Sequence, residues 1–153
     1  MLLIEHDGKQ VLHALGVPIP AGVFASLEDA PNVFASLDWS HPWYFKAQVL
    51  QGRRGKSGLV RRVDSPEHIQ ESLDIIRALL GNTSCAGILA DPAIAHEEEW
   101  LLSVDLDREA GGLRVNYSPE GGMSVSQARS LTICEEGDWQ KMEVPENIIL
   151  LAR

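Results

Sequence analysis

The chain of 153 residues is long enough to bury its own core without disulfide or metal staples. Hydrophobic residues make up 44% and charged residues 23%, which excludes pervasive disorder, a collagen-like chain and a disulfide scaffold. The 13 basic and 22 acidic residues give a net charge of −9, which argues against a general polyanion binder.

Leu3 to Leu15 carries apolar residues at helical spacing (Leu3, Ile4, Val11, Leu12, Leu15) and predicts a helix ending at Gly16. Pro18 and Pro20 enforce an extended exit, and Gly22 to Ala25 follows as a short strand. Leu27 to Leu37 is a helix candidate interrupted by Pro31. Trp43 to Leu50 reads as a strand, Gly52 to Gly58 as a glycine-rich turn, and Leu59 to Val63 as the return strand. Ser65-Pro66-Glu67 has the marks of a helix start: a capping hydroxyl, proline at the first position, and an acid against the dipole. The helix it opens presents Ile69, Leu73, Ile76, Leu79 and Leu80 on one face and stops at Gly81-Asn82.

The pattern then changes to strands. Ala86 to Ala90 is one, and Glu99 to Leu106 pairs with Gly112 to Ser118 as a hairpin. Ser124 to Leu131 reads as a helix, and Asp138 to Val144 and Ile148 to Leu151 fit either strand or helix. The expected fold class is α+β or α/β-like, with a mixed sheet and flanking helices in a single domain. The apolar start is broken by Glu5, His6 and Asp7, so it predicts no signal peptide. No apolar run approaches the roughly 18 residues that would span a bilayer. Cys85 and Cys134 lack Cys-x-x-Cys spacing and read as reduced thiols of a cytoplasmic protein.

Charge is the first functional clue. Lys46, Arg53, Arg54, Lys56, Arg61 and Arg62 lie together with no acid among them, leaving 7 basic against 22 acidic residues elsewhere. Gly52, Gly55 and Gly58 allow backbone N–H groups to approach an anion closely, and phosphate suits such a loop. A flexible solvated hairpin is the bland alternative. A P-loop is rejected, because Leu50 stands where its first glycine is required and a strand follows the turn. A third reading is a glycine-rich hairpin folded over nucleotide triphosphates, with Lys46 supplied by the preceding strand. A lysine within Trp43-Tyr-Phe-Lys-Ala-Gln-Val49 is costly unless an anion compensates it or the sheet's solvent face receives it. The −9 charge counts against nucleic acid as the ligand.

Four stretches, in order, resemble the amino-terminal part of the succinyl-CoA synthetase (ADP-forming) β subunit. They are Leu3, Glu5, Lys9 and Leu12 with Gly16-Val-Pro-Ile-Pro20 and Gly22; Phe45-Lys-Ala-Gln-Val49 with Gly52, Arg54-Gly-Lys56 and Gly58; Leu102 to Arg108; and Ser118-Pro-Glu-Gly-Gly-Met123. Malate–CoA ligase and ATP-citrate lyase are relatives of that subunit, and the resemblance runs from Met1 to about Ala128. It implies an ATP-grasp nucleotide-binding lobe. Lys46 would contact the α- and β-phosphates, and Gly52, Arg53, Arg54, Gly55, Lys56 and Gly58 would cover them. Asp91 falls on a hinge carboxylate that is usually Glu, and Glu99 on a second nucleotide-contacting Glu. Arg53 and Leu59 stand where the family has glycine.

The resemblance also implies ATP as cofactor, with Mg2+ expected only alongside the family's second lobe. That lobe, the CoA-ligase domain and the phosphohistidine α subunit have no counterpart in these 153 residues. The expectation is therefore a partial ATP-grasp domain, not catalytic alone, with an α subunit or second-lobe polypeptide as partner. Homo-oligomerisation is left open, and no nucleic acid or membrane is expected. The alternative is a naturally short, non-catalytic module that binds nucleotide or a partner. The histidines show no metal-ligand spacing and read as surface or boundary residues.

Overall fold

The computed structural model describes residues 2–52, 54–118 and 129–134. The chain divides into two compact units, residues 1–94 and 95–153.

The first unit is built on a four-stranded sheet in the order β1-β4-β2-β3. Its strands are β1 (Val23–Ala25), β2 (Trp43–Ala47), β3 (Val60–Val63) and β4 (Ile88–Pro92). Every pairing is antiparallel, which corrects the expected mixed sheet. Strand alternation sorts β2 into two faces. Trp43, Phe45 and Ala47 are buried on one, and Tyr44 and Lys46 are half-buried on the other.

The apolar face receives α2 (Ala30–Ala35) and α3 (Ile69–Leu80). Pro31 sits in the first turn of α2, where its missing N–H costs nothing, so it opens the helix and does not interrupt it. α3 buries Ile69, Ser72, Leu73, Ile76 and Leu80. Leu79, expected in that face, is exposed, and the small Ser72 takes the buried position. Phe34 and Phe45 meet at 4.6 Å in the centre of this core.

One helix start differs from expectation in its cap. Ser65 precedes a 3₁₀ turn, Pro66–His68, and makes no side-chain cap; its hydroxyl lies 3.1 Å from the His68 ring. The first helix, α1 (Glu5–Ala14), lacks a capping side chain. Its end is as predicted: Gly16 has φ +79°, and Val17 N donates to Leu12 O while Gly16 N donates to His13 O. α1 lies across the second face of the sheet, where His6 stacks on Phe24 at 4.5 Å and its backbone N–H donates to the buried Gln48 side chain.

The second unit contains a meander in the order β5-β6-β7, with β5 (Leu101–Asp107), β6 (Gly112–Ser118) and β7 (Arg129–Ile133). Asp107 closes the β5–β6 hairpin. It accepts from the N–H of Glu109 and Ala110, from Arg114 at 2.7 Å and from Thr132 at 3.0 Å. The Ala110 N–H, then Arg114, hold its carboxyl down at about 2. The last residues of the helix expected over 124–131 belong to β7, paired with β6. The rest of that helix and the readings for 138–144 and 148–151 lie outside the described residues. Among the described residues no helix is long and apolar enough to cross a membrane.

Candidate functional site

Lys46 marks the site. It sits mid-strand on β2, paired with Val60 of β3 and Leu89 of β4, and its side chain emerges on the face that α1 crosses. Its Nζ donates to Glu5 Oε1 at 2.8 Å and to Asp91 Oδ2 at 2.9 Å. Two carboxylates thus compensate the lysine that the strand sequence made conspicuous. Asp91 comes from β4, opposite Tyr44, and its other oxygen accepts from Lys9 of α1. Gly22 makes room for it, because a Cβ there would run into Asp91 Oδ1 and crowd the Ala90 carbonyl.

The glycine-rich turn contributes Arg54. Its Nη2 donates to Glu5 Oε2 at 2.6 Å and its Nη1 to Ala47 O at 3.0 Å. The Arg54 carbonyl accepts from Leu59 N at 3.0 Å and from the Ser57 hydroxyl at 3.0 Å. Gly58 has φ +75°, a conformation glycine adopts at little cost, and its N–H donates to Gly55 O. The N–H groups of Gly58 and Leu59 are therefore used inside the turn. Gly52 faces open space.

The cluster holds Lys9, Lys46 and Arg54 against Glu5 and Asp91, a local excess of one positive charge. Burial pushes the Glu5 carboxyl up, but the hydrogen bonds and charges of Lys46 and Arg54 outweigh it and leave the group below 4.5. Burial pushes Lys46 down, and Glu5 and Asp91 outweigh it, leaving the ammonium above 10.5. Both groups are ionised at neutral pH. The side chains of Lys46 and Arg54 remain 23% and 21% exposed. Glu5 and Arg54 also line an open cavity of about 330 Å³ with Val49, Leu50 and Gln51.

Of the residues singled out from sequence, Lys46, Arg54 and Asp91 are gathered within this cluster. Gly52, Gly55 and Lys56 are exposed along the turn, Gly58 is half-buried at its end, and Arg53 lies outside the described residues. Glu99 is exposed in the second unit, just before β5. Sequence reasoning missed Glu5 and Lys9 as site residues. Their spacing was the available signal: four residues apart on a helix, they face the same way. Among the described residues no group of three His, Cys, Asp or Glu could hold a metal ion.

Residues 2–130 match the ATP-grasp domain family. The chain belongs to that family. It is 33% identical over 135 residues to the succinate–CoA ligase (ADP-forming) β subunit of Hydrogenobaculum sp. (strain Y04AAS1), a match covering 83% of this chain and 35% of that one. The same subunit of Haloarcula marismortui is 33% identical over 128 residues, covering 83% and 33%. The ATP-grasp chain therefore spans about a third of the length of the curated relatives it matches. Among solved structures it is similar to a protein of Pyrococcus horikoshii Ot3, with TM-score 0.74 and 21% identity over 98% of this chain and 67% of that one. It is also similar to the dinucleotide-forming acetyl-coenzyme A synthetase 1 of Candidatus Korarchaeum cryptofilum, solved with coenzyme A, Ca-AMPCP and HgCl+. There the TM-score is 0.73 at 23% identity, over 97% and 69% of the two chains. These likenesses agree with the α+β, ATP-grasp fold expected from sequence.

Proposed function

We propose that the first unit binds the phosphates of ATP. The chain is then the nucleotide-binding portion of an ADP-forming acid–CoA ligase β subunit of the succinyl-CoA synthetase type. The observation that supports this reading most strongly is the convergence of Lys46 from β2 and Arg54 from the glycine-rich turn on one carboxylate, with both cations still accessible. Cations assembled beforehand stabilise a polyphosphate without reorganising on its arrival. Lys46 and Arg54 hold the phosphates in this reading, and Gly52 leaves space beside them. Asp91 holds Lys9 and Lys46 beside the phosphates.

The complete ligase would convert a dicarboxylate such as succinate or malate, with CoA and ATP, to acyl-CoA, ADP and phosphate. This stretch is assigned nucleotide binding, and the Mg2+ ligands, CoA-ligase domain and α subunit are assigned to other parts of that ligase. Calorimetric titration with ATP tests the binding claim. The wild type binds, and Lys46→Met, with its circular dichroism unchanged, binds at least about tenfold more weakly. Absence of binding by the wild type would overturn the reading.

A second reading, a short non-catalytic module that pairs with another polypeptide, is favoured by one feature of the second unit. Leu102, Val104 and Leu106 form a row on β5 that is 61%, 54% and 67% exposed. Sedimentation of the chain as a dispersed monomer over a wide concentration range counts against that reading.

A further inference from the structure

Glu5 joins the two expected phosphate contacts, Lys46 and Arg54. It opens α1, a helix that buries none of its residues, yet its carboxylate is divided between two elements. One oxygen meets Lys46 of β2 at 2.8 Å, and the other meets Arg54 of the glycine-rich turn at 2.6 Å. An acid in a first turn satisfies the helix dipole without any such bridge. Arg54 is the point through which the turn is tied down, since its guanidinium holds the Ala47 carbonyl and its own carbonyl receives Leu59 N–H. Glu5 thus links the turn's anchor to the strand's lysine. Two cations drawn together repel, and a carboxylate between them removes that cost.

We propose that Glu5 is a positioning residue: it holds Lys46 and Arg54 at a fixed separation with their remaining N–H groups directed to phosphate. The inference rests on the nucleotide reading above. Donor capacity supports it over the opposite role, an internal competitor that phosphate must expel. Among the described residues Lys46 gives two of its three N–H donors, to Glu5 and Asp91, so one remains. Among the described residues Arg54 gives two of its five, one to Glu5 and one to Ala47, so three remain. Both cations can keep Glu5 and meet phosphate together.

The two roles predict opposite signs. Glu5→Gln keeps the shape and removes the charge. Positioning requires ATP and inorganic triphosphate to bind Glu5→Gln at least about fivefold more weakly than wild type, with Glu5→Asp recovering part of the loss. Equal or tighter binding by Glu5→Gln overturns the proposal. Hydrogen exchange on the wild type decides the matter if the variants do not fold. Positioning predicts that α1 amides keep or gain protection when triphosphate binds, and loss of α1 protection shows displacement and overturns it. Lys46→Met separates the two claims. If the wild type binds ATP and Lys46→Met does not, the nucleotide reading stands and the Glu5 variants decide this inference alone. If the wild type and every variant ignore ATP and triphosphate, the reading falls and the role of Glu5 falls with it.

Discussion

The two faces of the first sheet are held by different physics. On one, α2 and α3 bury Phe34, Phe45, Leu73, Ile76 and Ile88 completely. On the other, α1 buries no residue and is fastened through Glu5, Lys9, Lys46, Arg54 and Asp91. The first face gains stability from area removed from water. The second is fastened by ion pairs of uneven burial: Lys9–Asp91 is nearly closed to solvent, while Glu5, Lys46 and Arg54 stay partly exposed. Strand alternation lets a single segment, Trp43–Ala47, serve both. Apolar packing and clustered charge are thereby separated by the thickness of a strand.

The comparison can be broken most strongly from the apolar side. Phe45→Ala opens a cavity beneath α2 and is expected to cost about 3–5 kcal/mol, read from the midpoint of urea unfolding. Its residual folded fraction should keep the polar cluster. Gly22→Val attacks the polar side through the sheet. Its Cβ would drive Asp91 away from Lys9 and Lys46 and crowd the Ala90 carbonyl, at an expected cost of about 1–3 kcal/mol. The same variant should weaken ATP binding, which Phe45→Ala should not do in its folded fraction.

Acid and base act on the polar face through Glu5 and Lys46. Glu5 has its carboxyl lowered from 4.5, so its stabilisation is present above that value and is lost as pH falls through the lower folded value. Lys46 has its ammonium raised from 10.5, so its stabilisation is present below that value and is lost as pH rises through the higher folded value. Each loss is on the order of 1 kcal/mol. Hydrogen exchange across pH should show α1 amides opening at both extremes while α3 stays protected. The smallest effect is expected on the outer surface of α1. Leu15 is 75% exposed there, and Leu15→Ser should shift the thermal midpoint by no more than about 0.5 kcal/mol equivalent.

The sequence made local features legible and long-range ones obscure. α3, the β2–β3 hairpin and the β5–β6 hairpin follow from periodicity and turn residues, which act over a few positions. Lys46 stood out because its strand neighbours are apolar. Its partners did not, because Glu5 lies 41 residues away and Asp91 45 residues away, and no local pattern encodes such pairings. The antiparallel arrangement of β1, β4 and β2 is hidden for the same reason, since β1 meets β4 across most of the first unit. Ser65 shows the limit of a local rule. Its hydroxyl had the right position for a cap, but a 3₁₀ turn intervenes and the hydroxyl turns to His68. Residues 129–131 show another, because their pairing with β6 overrides a helical reading.

The central claim is that the polar face of the first sheet receives the phosphates of a nucleotide. Amide chemical-shift mapping during ATP titration tests it most directly. Shifts are expected to concentrate at Glu5, Lys46, Gly52 to Gly58 and Asp91, and to leave the α3 face unchanged. Shifts confined to α2 and α3, or none at saturating ATP, would contradict it.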